Sequence, residues 1–174
     1  DTYRRLFPGT QLYGQFSRSS ARYTYQRNSD MFELVGHHGY YRSAGVGGAI
    51  AGKGFSLGIV DDPFPNREAA DSPTQREAVW KWFQGDFMTR SGPNAGVLLT
   101  HTRFHEEDLA GRLLKLAEDD PKADQWEVIK YPSICEEEGV DGDPRKIGDP
   151  LWPERKSLAD LEAIRAASPY EFYS

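Results

Sequence analysis

The feature that most constrains the fold is a short, largely apolar run that ends in two adjacent carboxylates. Residues Phe55 to Val60 form the run, and Asp61, Asp62 and Pro63 close it. A run of this length bounded by turn residues is typical of a strand buried in a parallel sheet. In α/β folds, ligands bind at the carboxyl ends of such strands. The run therefore predicts an α/β fold with a candidate site at Asp61 and Asp62.

Strand and helix patterns alternate along the chain, which favours a mainly parallel sheet. Ser72 and Pro73 predict a helix start, because serine caps helices and proline is tolerated at the first helical position. Residues Gly92 to Asn94 are predicted to interrupt the chain, and residues 136–150 to form a long loop. The other predicted elements are a hairpin of residues 31–35 and 40–46, strands at 95–100 and 126–134, and helices over 106–116 and after Ser157. Helical spacing predicts a buried face formed by Val79, Trp82, Phe83 and Phe87.

Composition narrows the class of protein. A chain of 174 residues with 38% hydrophobic residues is predicted to form one soluble globular domain. No apolar run approaches the roughly 20 residues that cross a bilayer, and the first residues lack a signal-peptide pattern, so a cytosolic location without membrane contact is predicted. Cys135 is the single cysteine, which excludes an intrachain disulfide, and its apolar surroundings predict a buried thiol rather than a nucleophile.

Charge is unevenly distributed along the chain. The net charge is −6, yet residues 1–30 contain five arginines and two acids. Such a basic segment fits either contact with a phosphate backbone or an ordinary solvated surface. We expect residues 1–30 to be mostly irregular, because their tyrosine, arginine, serine and glycine residues follow no clear period.

The two carboxylates that follow the 55–60 strand fit nucleotide hydrolysis. One can hold a hydrated Mg²⁺ ion, and the other can polarise an attacking water. An Asp-Asp-Pro sequence also makes an ordinary turn, so both interpretations stay open. Residues Gly47 to Gly54 nearly match a phosphate loop, but Gly54 replaces the required hydroxyl residue and a strand follows instead of a helix. We interpret that stretch as a glycine-rich connection.

A second polar stretch follows the predicted strand at 95–100. Arg103 fits either an interaction with phosphate or a salt bridge to a neighbouring acid. His101 and His105 would form a metal site only if a helix placed them on one face, and a junction between strand and loop is predicted there. His37 and His38 lie in a predicted turn, where we expect them to be solvated.

Several segments together resemble the terminase large subunits of tailed phages and prophages. They follow the order of that family and cover roughly residues 40–174. The most specific are the run from Thr102 to Gly111 and the later Leu151-Trp152-Pro153-Glu154-Arg155. The others are Ile59 to Pro63, Arg67 to Ser72, Arg76-Glu77, Trp82 and Thr89-Arg90.

The resemblance implies part of a P-loop-type (ASCE) ATPase domain with a three-layer fold, spanning residues 31–174 and lacking the Walker A half. It implies that Asp61 is the Walker B residue that holds Mg²⁺, and that Asp62 is the catalytic acid and a second metal ligand. It places Thr100 and Thr102 in the segment that couples hydrolysis to movement, with Arg103 beside it. ATP and Mg²⁺ are the implied cofactors. The implied partners are double-stranded DNA, the portal protein, the terminase small subunit and the missing N-terminal ATPase half, with a possible homo-oligomer, in the cytoplasm of a bacterial host.

The sequence also departs from the family. The family's adenine-binding region and phosphate loop are absent, and its nuclease domain would begin beyond a segment like residues 168–173. We therefore expect a fragment that does not hydrolyse ATP by itself. Two alternatives stay open. One is a metal-dependent nuclease that uses Asp61, Asp62 and Asp71, and the other is a non-catalytic prophage remnant or interaction module.

Overall fold

The computed structural model describes residues 30–34, 38–48, 50, 52 and 54–172. The arginines of residues 1–30 and His37 lie outside this part. The chain divides into two compact units, Asp1–Gly54 and Phe55–Ser174. In the first unit, β1 (Met31–Glu33) and β2 (Tyr40–Arg42) pair antiparallel, which confirms the predicted hairpin. The rings of the partners Phe32 and Tyr41 stack with their centroids 5.0 Å apart.

The second unit contains two strands and five α-helices among the described residues. The strands are β3 (Phe55–Asp61) and β4 (Ser91–Thr100). The helices are α1 (Arg67–Asp71), α2 (Pro73–Trp82), α3 (Leu109–Asp119), α4 (Leu158–Ala167) and α5 (Pro169–Phe172). A π-helical turn (Phe83–Phe87) and a 3₁₀ turn (Met88–Arg90) continue α2, and a second 3₁₀ turn spans Val140–Gly142. No helix of the described part is long and apolar enough to cross a membrane.

Strands β3 and β4 are parallel, and the fold of this unit is α/β, as predicted. Phe55 lies opposite Ser91, and after a register shift the pairing runs from Leu57 opposite Gly96 to Asp61 opposite Thr100. The predicted chain break at Gly92 to Asn94 is wrong, because β4 already begins at Ser91. The three residues lie instead in a register shift, and Asn94 adopts a φ of 58°, which asparagine tolerates better than most residues.

One face of the sheet packs against an aromatic cluster. The predicted helix face is confirmed, since Val79, Trp82, Phe83 and Phe87 are all buried. The ring of Phe87 lies 4.8 Å from that of Phe55 and 5.5 Å from that of Phe83, between centroids. On the other face Leu57, Ile59 and Leu98 are 52–62% exposed. Parallel sheets are usually covered on both faces. In the described part of the chain, this face is an exposed apolar surface that no helix covers.

Gly58 allows the sheet and the aromatic cluster to approach each other. A Cβ atom at Gly58 would lie 2.5 Å from Phe87 Cζ and 2.7 Å from Phe55 Cε2. We expect Gly58→Ala to lower the free energy of unfolding by about 1–3 kcal/mol, because overpacking displaces the rings. Gly96→Ala is the matched control on β4, since its Cβ would make an ordinary 3.6 Å contact with Leu57. Equal shifts of the denaturation midpoint for the two variants would contradict this explanation.

The helix starts follow side-chain caps. The prediction for Ser72 is confirmed, because its hydroxyl accepts from the amide of Gln75. The start predicted at Glu106 is wrong by about one turn, because Asp108 caps α3 by accepting from the amide of Gly111. The helix predicted after Ser157 is confirmed, and Ser157 and Asp160 form a capping box at its start. The hydrogen bond from Ser157 holds the pKa of the Asp160 carboxyl below its ordinary value.

The strand predicted at residues 126–134 is wrong. Only Ile134 makes a bridge, to Pro150, and the amide of Lys130 donates to the side chain of Asp141 instead of to another strand. A strand needs a neighbouring strand for its backbone groups, and here the loop at 136–150 offers only an aspartate side chain and one bridge. That loop is irregular apart from one 3₁₀ turn, as predicted.

Two buried groups stabilise the loop at 136–150. Asp143 accepts from the guanidinium of Arg145 at 2.6 Å, which lowers the pKa of Asp143 and raises that of Arg145. The thiol of Cys135 is buried, as predicted, and donates to the carbonyl of Glu137 at 3.4 Å. The Cys135 thiol therefore contributes to the packing and hydrogen bonding of this loop.

Candidate functional site

The candidate site lies where β3 and β4 end. Two segments follow these strands, and we call residues 62–66 the first edge loop and residues 101–108 the second edge loop. Asp61 is the last residue of β3 and pairs with Thr100, the last residue of β4. Both are exposed, on the uncovered face of the sheet. The carboxylate of Asp61 is therefore accessible at the carboxyl edge.

Asp62 turns the chain away from the sheet. Its amide still donates to the carbonyl of Thr100 at 3.0 Å, which extends the ladder by one bond. Its φ is 43°, in the left-handed region that aspartate and asparagine enter more readily than most other residues. This conformation directs the chain into the first edge loop, and Asp62 Oδ1 accepts from the amide of Thr102 at 3.4 Å.

The structure therefore brings Asp61, Asp62 and Thr102 to one edge. Arg103 makes the salt bridge that the sequence left open as an alternative. Its Nε donates to Asp108 Oδ2 at 2.8 Å, and the Asp108 side chain is fully buried while that of Arg103 is 43% exposed. Arg103 thus joins the second edge loop to the cap of α3.

Two further arginines connect helices α1 and α2 to the second edge loop, and the sequence patterns indicate neither contact. Arg67 Nη1 donates to the carbonyl of Phe104 at 3.1 Å, and its guanidinium lies 5.4 Å from the centre of the Phe104 ring. Arg76 is buried, donates to the carbonyls of Ala70 and Asp71, and reaches Glu107 at 3.2 Å. These pairs lie 37 and 31 residues apart in the chain, so no local pattern indicates them.

The histidine side chains of the second edge loop form hydrogen bonds with backbone groups of the same loop. His101 Nδ1 donates to the carbonyl of Thr102 at 2.8 Å, while its Nε2 is buried without a partner. His105 Nδ1 accepts from the amide of Glu107 at 2.9 Å. Within the described ranges, no three or more histidine, cysteine, aspartate or glutamate side chains form a group that could hold a metal ion. Asp71 therefore does not complete a metal cluster with Asp61 and Asp62.

The pair Asp61 and Asp62 still fits Mg²⁺ in one specific way. This ion commonly uses one or two carboxylates and takes its other ligands from waters and substrate phosphates. Two adjacent carboxylates at an exposed sheet edge supply that donor set. They would not suit an ion that needs a complete cage of protein ligands.

A cavity of about 650 Å³ lies beside this edge. Its lining includes His101, Thr102 and Arg103 of the second edge loop, Leu113 and Leu114 of α3, and residues 126–134. The cavity is therefore bounded by the second edge loop and by the segment predicted to be a strand. It offers space for a ligand or for polypeptide next to Thr102.

Comparison with protein families identifies the chain as follows. The family model described as "Terminase large subunit, T4likevirus-type, N-terminal" matches residues 4–169. No curated protein and no solved structure matches the chain. The match includes the edge loops, α1 to α4 and the segment of residues 126–134.

Proposed function

Because the chain belongs to the T4likevirus-type terminase large subunit family, we propose that it forms part of the ATP-driven motor that packages phage DNA. The family itself connects the chain with DNA packaging and with the partners of the packaging complex. The observation that carries the motor proposal is the hydrogen bond between Asp62 and Thr102, which joins the second of two adjacent carboxylates to the loop after the neighbouring strand. Nucleotide hydrolysis requires such a grouping at one sheet edge.

In this proposal Asp61 and Asp62 have different roles. Asp61 would hold Mg²⁺, which when bound to ATP neutralises phosphate charge. Asp62 would orient the attacking water and accept its proton. The Thr102 amide would move when the Asp62 carboxylate changes its position or protonation, because the two are hydrogen-bonded. The bond between Arg103 and Asp108 would pass a displacement of the second edge loop on to α3.

A phosphate-binding element has to come from elsewhere. Residues Gly47 to Gly54 lack the hydroxyl residue of a phosphate loop, and no other part of the sequence matches that motif. We propose that the N-terminal half of an ATPase domain supplies it, outside these 174 residues. The cavity beside Thr102 supports this idea, because it leaves space for added polypeptide along the second edge loop. Double-stranded DNA, the portal protein and the terminase small subunit would be the partners of the complete motor.

The experiment compares ATP hydrolysis by this chain with hydrolysis by a version extended upstream through a phosphate loop. Both are assayed with and without double-stranded DNA. We expect turnover only in the extended protein, because only that protein binds the β- and γ-phosphates. Mg²⁺-dependent turnover by the chain alone would contradict the proposed incompleteness.

Two other functions give different results in the same samples. DNA cleavage with Mn²⁺ would favour a nuclease, although the described residues contain no third acidic ligand beside Asp61 and Asp62. Absence of both activities in the extended protein would overturn the motor proposal and favour a non-catalytic remnant or interaction module. We retain that alternative because the sequence lacks a phosphate loop.

A further inference from the structure

The second edge loop is held at three points along its length. Near its start, the amide of Thr102 donates to Asp62 at 3.4 Å. At its end, Asp108 caps α3, and Glu107 accepts from Arg76 at 3.2 Å. Between these points, Phe104 contacts Arg67. The contact with Asp62 is the longest of these hydrogen bonds, so we expect it to be weak and to depend on the others.

Arg67 is well placed to fix the middle of the loop. It is the first residue of α1, and the cap formed by Asn66, which accepts from the amide of Ala69 at 2.9 Å, fixes its backbone. Its half-buried side chain contacts both the carbonyl and the ring of Phe104. A hydrogen bond and a cation–π contact to one residue restrain the loop backbone and a side chain together.

We propose that Arg67 is a positioning residue, which holds Thr102 against Asp62 by fixing Phe104. Its catalytic consequence rests on the proposed function. Asp62 is the first residue of the first edge loop and Arg67 directly follows its last, so one short segment carries both the carboxylate and the side chain that contacts the second edge loop. A shift of about 1 Å between catalytic groups can reduce turnover by up to two orders of magnitude. Arg67 would therefore affect hydrolysis without touching the nucleotide.

Arg112 supplies a matched control. Its guanidinium lies 5.8 Å from the centre of the Trp80 ring, and its Nη1 donates to Glu77 at 3.0 Å. The side chain thus combines a hydrogen bond and a cation–π contact like those of Arg67. It connects α2 with α3, whereas Arg67 connects α1 with the second edge loop. If Arg67 only stabilised the fold, Arg67→Met and Arg112→Met would affect the edge loops alike.

The primary measurement is amide hydrogen exchange in the chain as it exists, with Arg67→Met, Arg67→Lys and Arg112→Met. We expect Arg67→Met to accelerate exchange of the Thr102 amide about tenfold relative to the amides of β3, because the bond to Asp62 is released. Arg67→Lys keeps the charge and a donor, so it should recover part of the protection. Arg112→Met should leave the Thr102 amide within about twofold of the original rate. An unchanged Thr102 amide in Arg67→Met, or an equal change in Arg112→Met, would overturn the proposal.

A second measurement separates this proposal from the motor hypothesis. In the extended, ATP-hydrolysing protein, we expect Arg67→Met to reduce kcat about tenfold and to leave KM within about twofold. If the extended protein shows no ATP turnover, the motor hypothesis fails, whereas the exchange result still decides whether Arg67 positions the loop. If turnover is present and kcat is unaffected by Arg67→Met, the catalytic part of the proposal is wrong.

Discussion

Asp62→Asn is expected to reduce ATP turnover of the extended protein by about 10²- to 10⁴-fold, the usual contribution of a general base. Asparagine has nearly the same shape and tolerates the left-handed φ of 43°, so the turn after β3 should be preserved. The amide oxygen can still accept from Thr102 N–H. What disappears is the negative charge that accepts a proton from water. The measurement is kcat at saturating MgATP, with circular dichroism to establish that the fold is retained.

Two control variants test whether the loss of turnover is specific to Asp62. Asp61→Asn should mainly raise the Mg²⁺ concentration needed for half-maximal turnover, because Asp61 is the proposed metal ligand. Asp86→Asn removes an exposed carboxylate from the π-helical turn and should leave turnover unchanged. Turnover of the Asp62→Asn variant at the wild-type rate would contradict the proposal that Asp62 accepts the proton. A similar loss in Asp86→Asn would indicate a general charge effect instead.

Asp108→Ala is expected to lower the free energy of unfolding of the second unit by about 2–4 kcal/mol. The Asp108 side chain is fully buried, caps α3 through the amide of Gly111, and accepts a charge-assisted bond from Arg103. Alanine removes both bonds and leaves the amide of Gly111 without its partner. Because Arg103 is 43% exposed, water can solvate its freed charge, which keeps the loss below that of a fully buried pair.

Asp108→Asn separates the two contributions. Asparagine is as good a helix cap as aspartate, so the bond from Gly111 should remain while the ion pair with Arg103 is lost. We expect a smaller destabilisation, of about 1 kcal/mol, measured by chemical denaturation of all three proteins. Equal destabilisation by alanine and asparagine would mean that the charge, and not the cap, makes Asp108 important.

The part of the site that follows from backbone topology could be predicted from the sequence. The apolar runs that end at Asp61 and at Thr100 indicate two strands, although the burial expected for the first is confined to Gly58 and Val60. Once the two strands pair in parallel, their ends must share an edge, and Asp62 and Thr102 come within hydrogen-bond distance. The α/β class and the buried aromatic face follow from the same periodic patterns.

Side-chain contacts between distant segments could not be predicted in this way. Arg67 reaches Phe104 across 37 residues, and nothing in the spacing of the chain indicates which carbonyl an arginine will find. The position of Asp108 is different, because an aspartate followed by Leu109, Ala110 and Gly111 fits a helix cap, although the start predicted at Glu106 lies before the observed one. The segment at 126–134 has the composition of a strand, but composition does not supply the neighbour that a strand requires.

The parallel pairing of β3 and β4 also has a consequence for folding. Asp62 and Thr102 lie 40 residues apart in the chain, and the helices between them contain mostly local contacts. Closing a long loop costs entropy before any contact compensates for it, so helices tend to form sooner than parallel strand pairs. We therefore expect α1 and α2 to be organised in the folding transition state and the β3–β4 ladder to complete afterwards. The edge that presents the carboxylates would then be among the last regions to assemble.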